Sequence, residues 1–225
     1  MTSRHWASRA HAAAAVVSWC CALNAMWLAF TLLGGGVLGV GPATVTACIV
    51  ARRHARGETV RLGDFARTWR REFARGTAVV LPILAVAGVL WSNYAAFSAL
   101  APGFGPARLG SLAAFVLTLA ALVYVGPMYA HYDLPLWRYG PTALRFALRR
   151  PHATVLLLLV LTALAFASAA QPILLITVGV GAWLHTSTWL CVRFFAENER
   201  RRVQAGGPRR HDPRPVLPAE PLRIL

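Results

Sequence analysis

Seven histidines, four cysteines and eight carboxylates are the groups in this chain that could hold a metal, attack a substrate or move a proton. The histidines His5, His11, His54, His131, His152, His185 and His211 are scattered, with no H-E-x-x-H pattern and no i, i+4 pair of histidines with an acidic neighbour, so no metal site is expected. Cys20, Cys21, Cys48 and Cys191 lie in apolar segments without C-x-x-C spacing, which fits buried packing. Glu58, Asp64, Glu72, Asp133, Glu197, Glu199, Asp212 and Glu220 all fall outside the apolar segments, whereas proton-coupled transport needs a carboxylate inside one. The glycine-rich run from Gly34 to Gly41 has no following lysine and no preceding strand, so it reads as a turn or a close helix contact rather than a phosphate loop. With no clustered catalytic groups, the expectation is a non-enzymatic chain without cofactor or metal.

A few polar residues do lie inside apolar segments: Asn24, Asn93, Tyr94, Tyr124 and the cluster His185, Thr186, Ser187, Thr188. Hydrogen bonds between helices, worth ~0.6 to 2 kcal/mol each, account for such residues in one reading. The alternative is a small polar pocket around His185 with Asn24 or Asn93, since His185 is the one histidine deep in an apolar segment.

The elements that position these residues follow from where charge is missing. The chain has 225 residues, 57% hydrophobic and 14% charged, with a net charge of +15, which excludes a disordered basic tail and an ordinary soluble domain. Asp, Glu and Arg are absent from four windows, 10–51, 76–107, 109–132 and 151–192, and a charge in mid-bilayer is costly. The fold class is therefore all-α, a polytopic helical membrane protein. Full spans are expected at about 12–33, 77–99, 110–131, 153–170 and 173–195, with Gln171-Pro172 forming a tight turn. A short helix at 42–56 begins at Pro42, which suits a first helical position. This arm either returns to the cytoplasm from a glycine turn set below the outer surface, making six crossings, or enters as a half-helix.

Charge sidedness favours six crossings. Twenty of the 23 basic residues, all arginine, fall in 52–76, 131–151 and 193–225, which the positive-inside rule assigns to the cytoplasm, while Arg4 and Arg9 place residues 1–11 there too. The surplus of arginine thus reports orientation, with both termini cytoplasmic. It favours anionic lipid headgroups over nucleic acid as a partner. Leu62, Phe65, Trp69 and Phe73 form an aromatic stripe opposite Arg67, Arg70, Arg71 and Arg75, with Asp64 as N-terminal cap, so 63–76 reads as an interfacial amphipathic helix, either a lipid anchor or a docking helix. Tyr129, Tyr132, Trp137 and Tyr139 mark the cytoplasmic interface, and 140–151 is a second short helix bounded by prolines. One membrane domain spans 12–196, and 197–225 reads as a disordered Arg/Pro-rich tail.

Gly39-Val40-Gly41-Pro42-Ala43-Thr44, then Val50 through Glu58, then Asp64-Phe65 through Trp69 to Phe73, resemble the YesL-like family of bacterial membrane proteins, and Ala143 through Pro151 fit its later pattern. The resemblance implies a small helical protein of the bacterial inner membrane whose motif residues here are Gly41, Pro42, Ala43, Thr44, Asp64, Phe65, Trp69 and Phe73. It also implies an association with carbohydrate ABC importers, as an accessory or regulatory partner of the permease subunits or, alternatively, as a small transporter in its own right. It supplies no catalytic residues.

Overall fold

The computed structural model describes residues 2–100 and 104–205, and among these the regular structure is entirely helical. In order it comprises α1 (Thr2–Leu33), α2 (Val37–Ala55), α3 (Leu62–Ala99), α4 (Gly105–His131), α5 (Leu136–Arg149), α6 (Pro151–Ala170), α7 (Pro172–Leu174), a π-helical turn (Leu175–Gly179) and α8 (Val180–Ala205). Five stretches are long and apolar enough to cross a membrane: Arg9–Leu33, Leu62–Ala99, Gly105–His131, Pro151–Ala170 and Pro172–Cys191. With 19 residues and ~28 Å of rise, α2 is the short arm. It turns back from α1 through Gly35 and Gly36, both at positive φ, where a side chain would strain the backbone.

Glycine sets how closely α2 meets α3. A Cβ on Gly41 would lie 2.8 Å from the Gly76 carbonyl oxygen, and one on Gly76 would lie 2.9 Å from Pro42 Cα, so the two backbones cross in direct contact. Pro42 is not the first helical residue, because α2 already begins at Val37. An interior proline leaves the carbonyl four residues earlier without its amide partner. That carbonyl, on Leu38, lies 3.2 Å from the Thr77 hydroxyl of α3, whose single proton it shares with the Phe73 carbonyl at 2.7 Å.

Three boundaries differ from the expectation. Residues 63–76 do not form a separate helix along the surface; they are the first part of one helix of 38 residues that runs on to Ala99. The reason is that the stripe is needed for packing. Phe65 is fully buried, and Phe30 of α1 stacks near both Phe65 at 4.9 Å and Trp69 at 5.4 Å. Leu62, counted in that stripe, stays exposed. The surface amphipathic element is instead α5, which buries Tyr139, Ala143 and Ala147 while exposing Trp137 and Leu148 beside its arginines. At the ends, α1 starts at Thr2 rather than near residue 12, and α8 reaches Ala205, taking in 197–205, where Glu and Arg are good helix formers. The expected disordered tail from residue 206 onward lies outside the described residues.

The core lies where α2, α3, α4 and α5 meet, around Val45, Val80, Tyr124, Val125, Met128 and Tyr139, with a second cluster of Leu23, Cys48, Val50, Phe65 and Leu184. Gly76→Leu should wedge α2 from α3 and cost about 3 kcal/mol. Gly88→Leu, where no atom lies within 4 Å of an added Cβ, should change little. Thermal unfolding in detergent, followed by circular dichroism, compares the two.

Candidate functional site

One turn before Gly76 on the same face of α3 stands Glu72, only 8% exposed. Its phase is that of the buried residues Phe65, Thr68, Gly76 and Val79, so the helix that packs against α2 and α4 carries this carboxylate inward. Buried carboxylates need partners, and Glu72 has two. The Tyr129 hydroxyl on α4 donates to Oε2 at 2.7 Å, and Arg71 Nε donates to Oε1 at 2.8 Å.

Around this pair the structure opens a cleft of about 520 Å³. Arg71, Glu72 and Arg75 line it from α3, Ile49 from α2, Tyr129, Ala130 and His131 from α4, and Tyr132, Asp133 and Tyr139 from the connection into α5 and its first turn. Arg75 pairs with Asp133 at 3.5 Å. The Tyr139 hydroxyl donates to the Tyr132 carbonyl at 2.8 Å and accepts from the Leu134 amide at 3.1 Å, pinning the α4 to α5 connection. Tyr129 and Tyr139 lie ring to ring at 5.0 Å. Beside the cleft, Arg52 of α2 donates to the Ala130 carbonyl. Burial pushes the Tyr139 phenol above its ordinary value of 10.0.

Two arginines, two carboxylates and three phenols make the cleft charge-balanced, and its charges are graded in depth. The Glu72 side chain is 10% exposed, against 73% for Arg71, 52% for Arg75 and 91% for Asp133. Such a site presents donors and acceptors together, which suits a ligand or partner surface carrying both.

The residues singled out from sequence are placed elsewhere. Asn24 is fully buried, but its amide serves the backbone: it donates to the Leu175 and Ile176 carbonyls and accepts from Gly181 N–H at 2.9 Å, satisfying groups that the π-helical turn frees. His185, one turn beyond Gly181, is partly buried, and its Nδ1 makes no hydrogen bond among the described residues. Asn93 is exposed on the far part of α3 and joins neither. The pocket expected around His185 with Asn24 or Asn93 is therefore not assembled, because the π-helical turn takes up the one buried amide. Among the motif residues, Gly41, Pro42 and buried Ala43 form the crossing, and Thr44 accepts from Trp27 Nε1 at 3.0 Å. Asp64 accepts from the Arg61 amide at 3.3 Å, and Trp69 and Phe73 continue the aromatic stack at 5.0 Å. Sequence reasoning missed Glu72, and extending the buried period back from Val79 and Gly76 would have found it. Among the described residues no cluster of three or more His, Cys, Asp or Glu could hold a metal ion.

Comparison with known proteins bears out the YesL-like resemblance. The family model for a protein of unknown function, DUF624, matches residues 20–94. Three proteins of Bacillus subtilis (strain 168) are similar. Uncharacterized protein YesV is 39% identical over 135 residues, 59% of this chain and 65% of the relative. Uncharacterized protein YesL is 30% identical over 138 residues, 60% of this chain and 65% of the relative. Uncharacterized protein YteU is 29% identical over 154 residues, 66% of this chain and 68% of the relative. The chain thus matches just under two thirds of the length of YesV and YesL. No solved structure matches.

Tyr129→Phe removes a hydrogen bond to a buried charge and should cost about 2 kcal/mol. In a double-mutant cycle with Glu72→Gln, the two losses should be strongly non-additive in detergent unfolding. Tyr139 adds a pH dependence. Because its pKa is higher folded than unfolded, its contribution is complete below pH 10 and is lost as the pH rises from there through the folded value. Tyr139→Phe should flatten the alkaline decline in stability, measured as unfolding midpoint against pH.

Proposed function

We propose that this chain is a non-enzymatic accessory or regulatory component of a carbohydrate ABC uptake system in the bacterial inner membrane, with both termini cytoplasmic. The observation that carries this reading is the mixed-charge cleft at the arginine-rich end of the α3 to α4 hairpin. It offers a docking surface on the side where an importer's cytoplasmic parts lie. The uptake system itself comes from the resemblance to YesL-like proteins. In this reading α1, α3, α4, α6 and α8 pack laterally on permease subunits, while Arg71, Arg75 and Asp133 contact the permease or anionic headgroups from below.

A small transporter in its own right is the second reading. It is favoured by the π-helical turn inside the last span, held open by Asn24 of α1, since interrupted helices at membrane depth accompany transport sites.

Crosslinking in membranes followed by purification in mild detergent should recover permease subunits with the full chain. Arg71→Glu with Arg75→Glu should reduce that recovery about tenfold, equivalent to ~1.4 kcal/mol. Recovery of no permease, together with sugar uptake by proteoliposomes holding this protein alone, would replace the first reading with the second.

A further inference from the structure

We propose that the Glu72 cleft is a binding site for the headgroup of a phosphoethanolamine lipid in the cytoplasmic leaflet. The inference shares Arg75 and Asp133 with the docking surface proposed above but needs no permease, and its test is run on this chain and the bilayer alone.

The argument begins with depth. The uncharged windows of α3 and α4 begin at Gly76 and end at Tyr132, so Arg75 and Tyr129 stand where the chain leaves the hydrocarbon. A cleft opening there meets headgroups. Charge balance then selects among them. A phosphate with no cation beside it would meet Arg71 and Arg75 but also face Glu72 and Asp133, and a lone cation would face the reverse conflict. A zwitterion satisfies both pairs.

The order of charges along α3 matches the order along such a lipid. From its arginine-rich start α3 runs into the uncharged window that begins at Gly76, so Arg75 lies ~4.5 Å nearer the hydrocarbon than Glu72. In the lipid the phosphate is likewise nearer the hydrocarbon than the amine. Phosphate therefore meets Arg75, displacing its 3.5 Å contact with the exposed Asp133, and the ammonium reaches Glu72 and Asp133. Glu72 has acceptor capacity for this, since an ionised carboxylate offers about four lone-pair sites and it receives Arg71 and Tyr129. A primary ammonium supplies three N–H donors, whereas a choline supplies none. The cleft volume of about 520 Å³ leaves room for the headgroup and its glycerol.

The test uses the full chain in nanodiscs containing phosphatidylethanolamine, phosphatidylcholine and phosphatidylglycerol in equal amounts, with retained lipid counted by native mass spectrometry. Phosphatidylethanolamine should be retained over each of the others by roughly tenfold, the ~1.4 kcal/mol of one charge-assisted contact set. Arg75→Gln and Asp133→Asn change exposed side chains that leave the core intact, and each should erase most of that preference. Glu72→Gln should do the same if it folds. Arg108→Gln, at the opposite end of the hairpin, should leave it unchanged. Equal retention of phosphatidylcholine would overturn the proposal, as would a preference that survives both exposed substitutions. Stronger retention of phosphatidylglycerol would assign the arginines to anionic lipid instead. Soluble glycerophosphoethanolamine is titrated in detergent as a separate arm, and binding there without lipid enrichment in nanodiscs would make the ligand a soluble ester and also overturn the lipid site.

Discussion

The crossing of α2 and α3 at Gly41 and Gly76 is the constraint from which the rest of the fold follows. Between apolar helices in a bilayer there is little hydrophobic force to favour association, so close approach and its dispersion contacts must supply the attraction. Two glycines facing each other let the backbones touch, and the geometry that results is narrow. It brings Thr77 to the Leu38 carbonyl, and the same helix seats Phe65 and Trp69 beside Phe30. It also fixes the rotation of α3, which turns Glu72, one turn earlier on the same face, toward Tyr129 of α4. The cleft is thus a consequence of how tightly α2 and α3 meet.

A second regularity concerns backbone groups left without partners in an apolar layer, where each is expensive. Pro42 frees the Leu38 carbonyl four residues earlier, and the end of α5 at Arg149 leaves the Ala147 carbonyl without an amide partner. A threonine hydroxyl is near each: Thr154 donates to Ala147 at 2.8 Å, while Thr77 lies 3.2 Å from Leu38 and shares its proton with the Phe73 carbonyl at 2.7 Å. Thr154 also meets the Tyr124 hydroxyl at 3.1 Å, tying α4 to the α5 to α6 junction. Asn24 does comparable work for the π-helical turn with one amide that both donates and accepts. Much of the sparse polar content of the spans therefore maintains the backbone, and these hydrogen bonds join helices distant in sequence.

The helical class, the spans and the short arm were legible because charge and apolar length are local properties that the bilayer enforces residue by residue. The turn at Gln171-Pro172 was legible for the same reason, since proline acts on its own backbone. The role of residues 63–76 was not. An aromatic stripe opposite arginines looks identical whether the stripe meets lipid or Phe30, and only the partner helix decides. Glu72 was hidden by the same ambiguity, because it sits between Arg71 and Phe73 in a charged stretch and its burial depends on α4, more than fifty residues away. Nor was the π-helical turn readable, as Leu175–Gly179 is as apolar as any helical segment and the amide that stabilises it lies on α1.

The family match adds a division that the geometry makes meaningful. Residues 20–94 contain both crossing glycines, the aromatic stack, Glu72 and the arginines beside it, but not Tyr129, Asp133 or Tyr139. The matched stretch therefore builds the crossing and carries the acid inward, while the phenol that donates to it, Tyr129, comes from α4 and the connection beside it is pinned by Tyr139 of α5. A buried carboxylate facing only lipid would be protonated or would expel its helix toward water. Glu72 in its present place consequently requires the α3 to α4 hairpin to close and α5 to lie across its end, with Tyr139 holding the connection at Tyr132 and Leu134. The site is complete only when both parts of the chain have folded together, which makes the carboxylate a marker of correct assembly as well as the innermost group of the cleft.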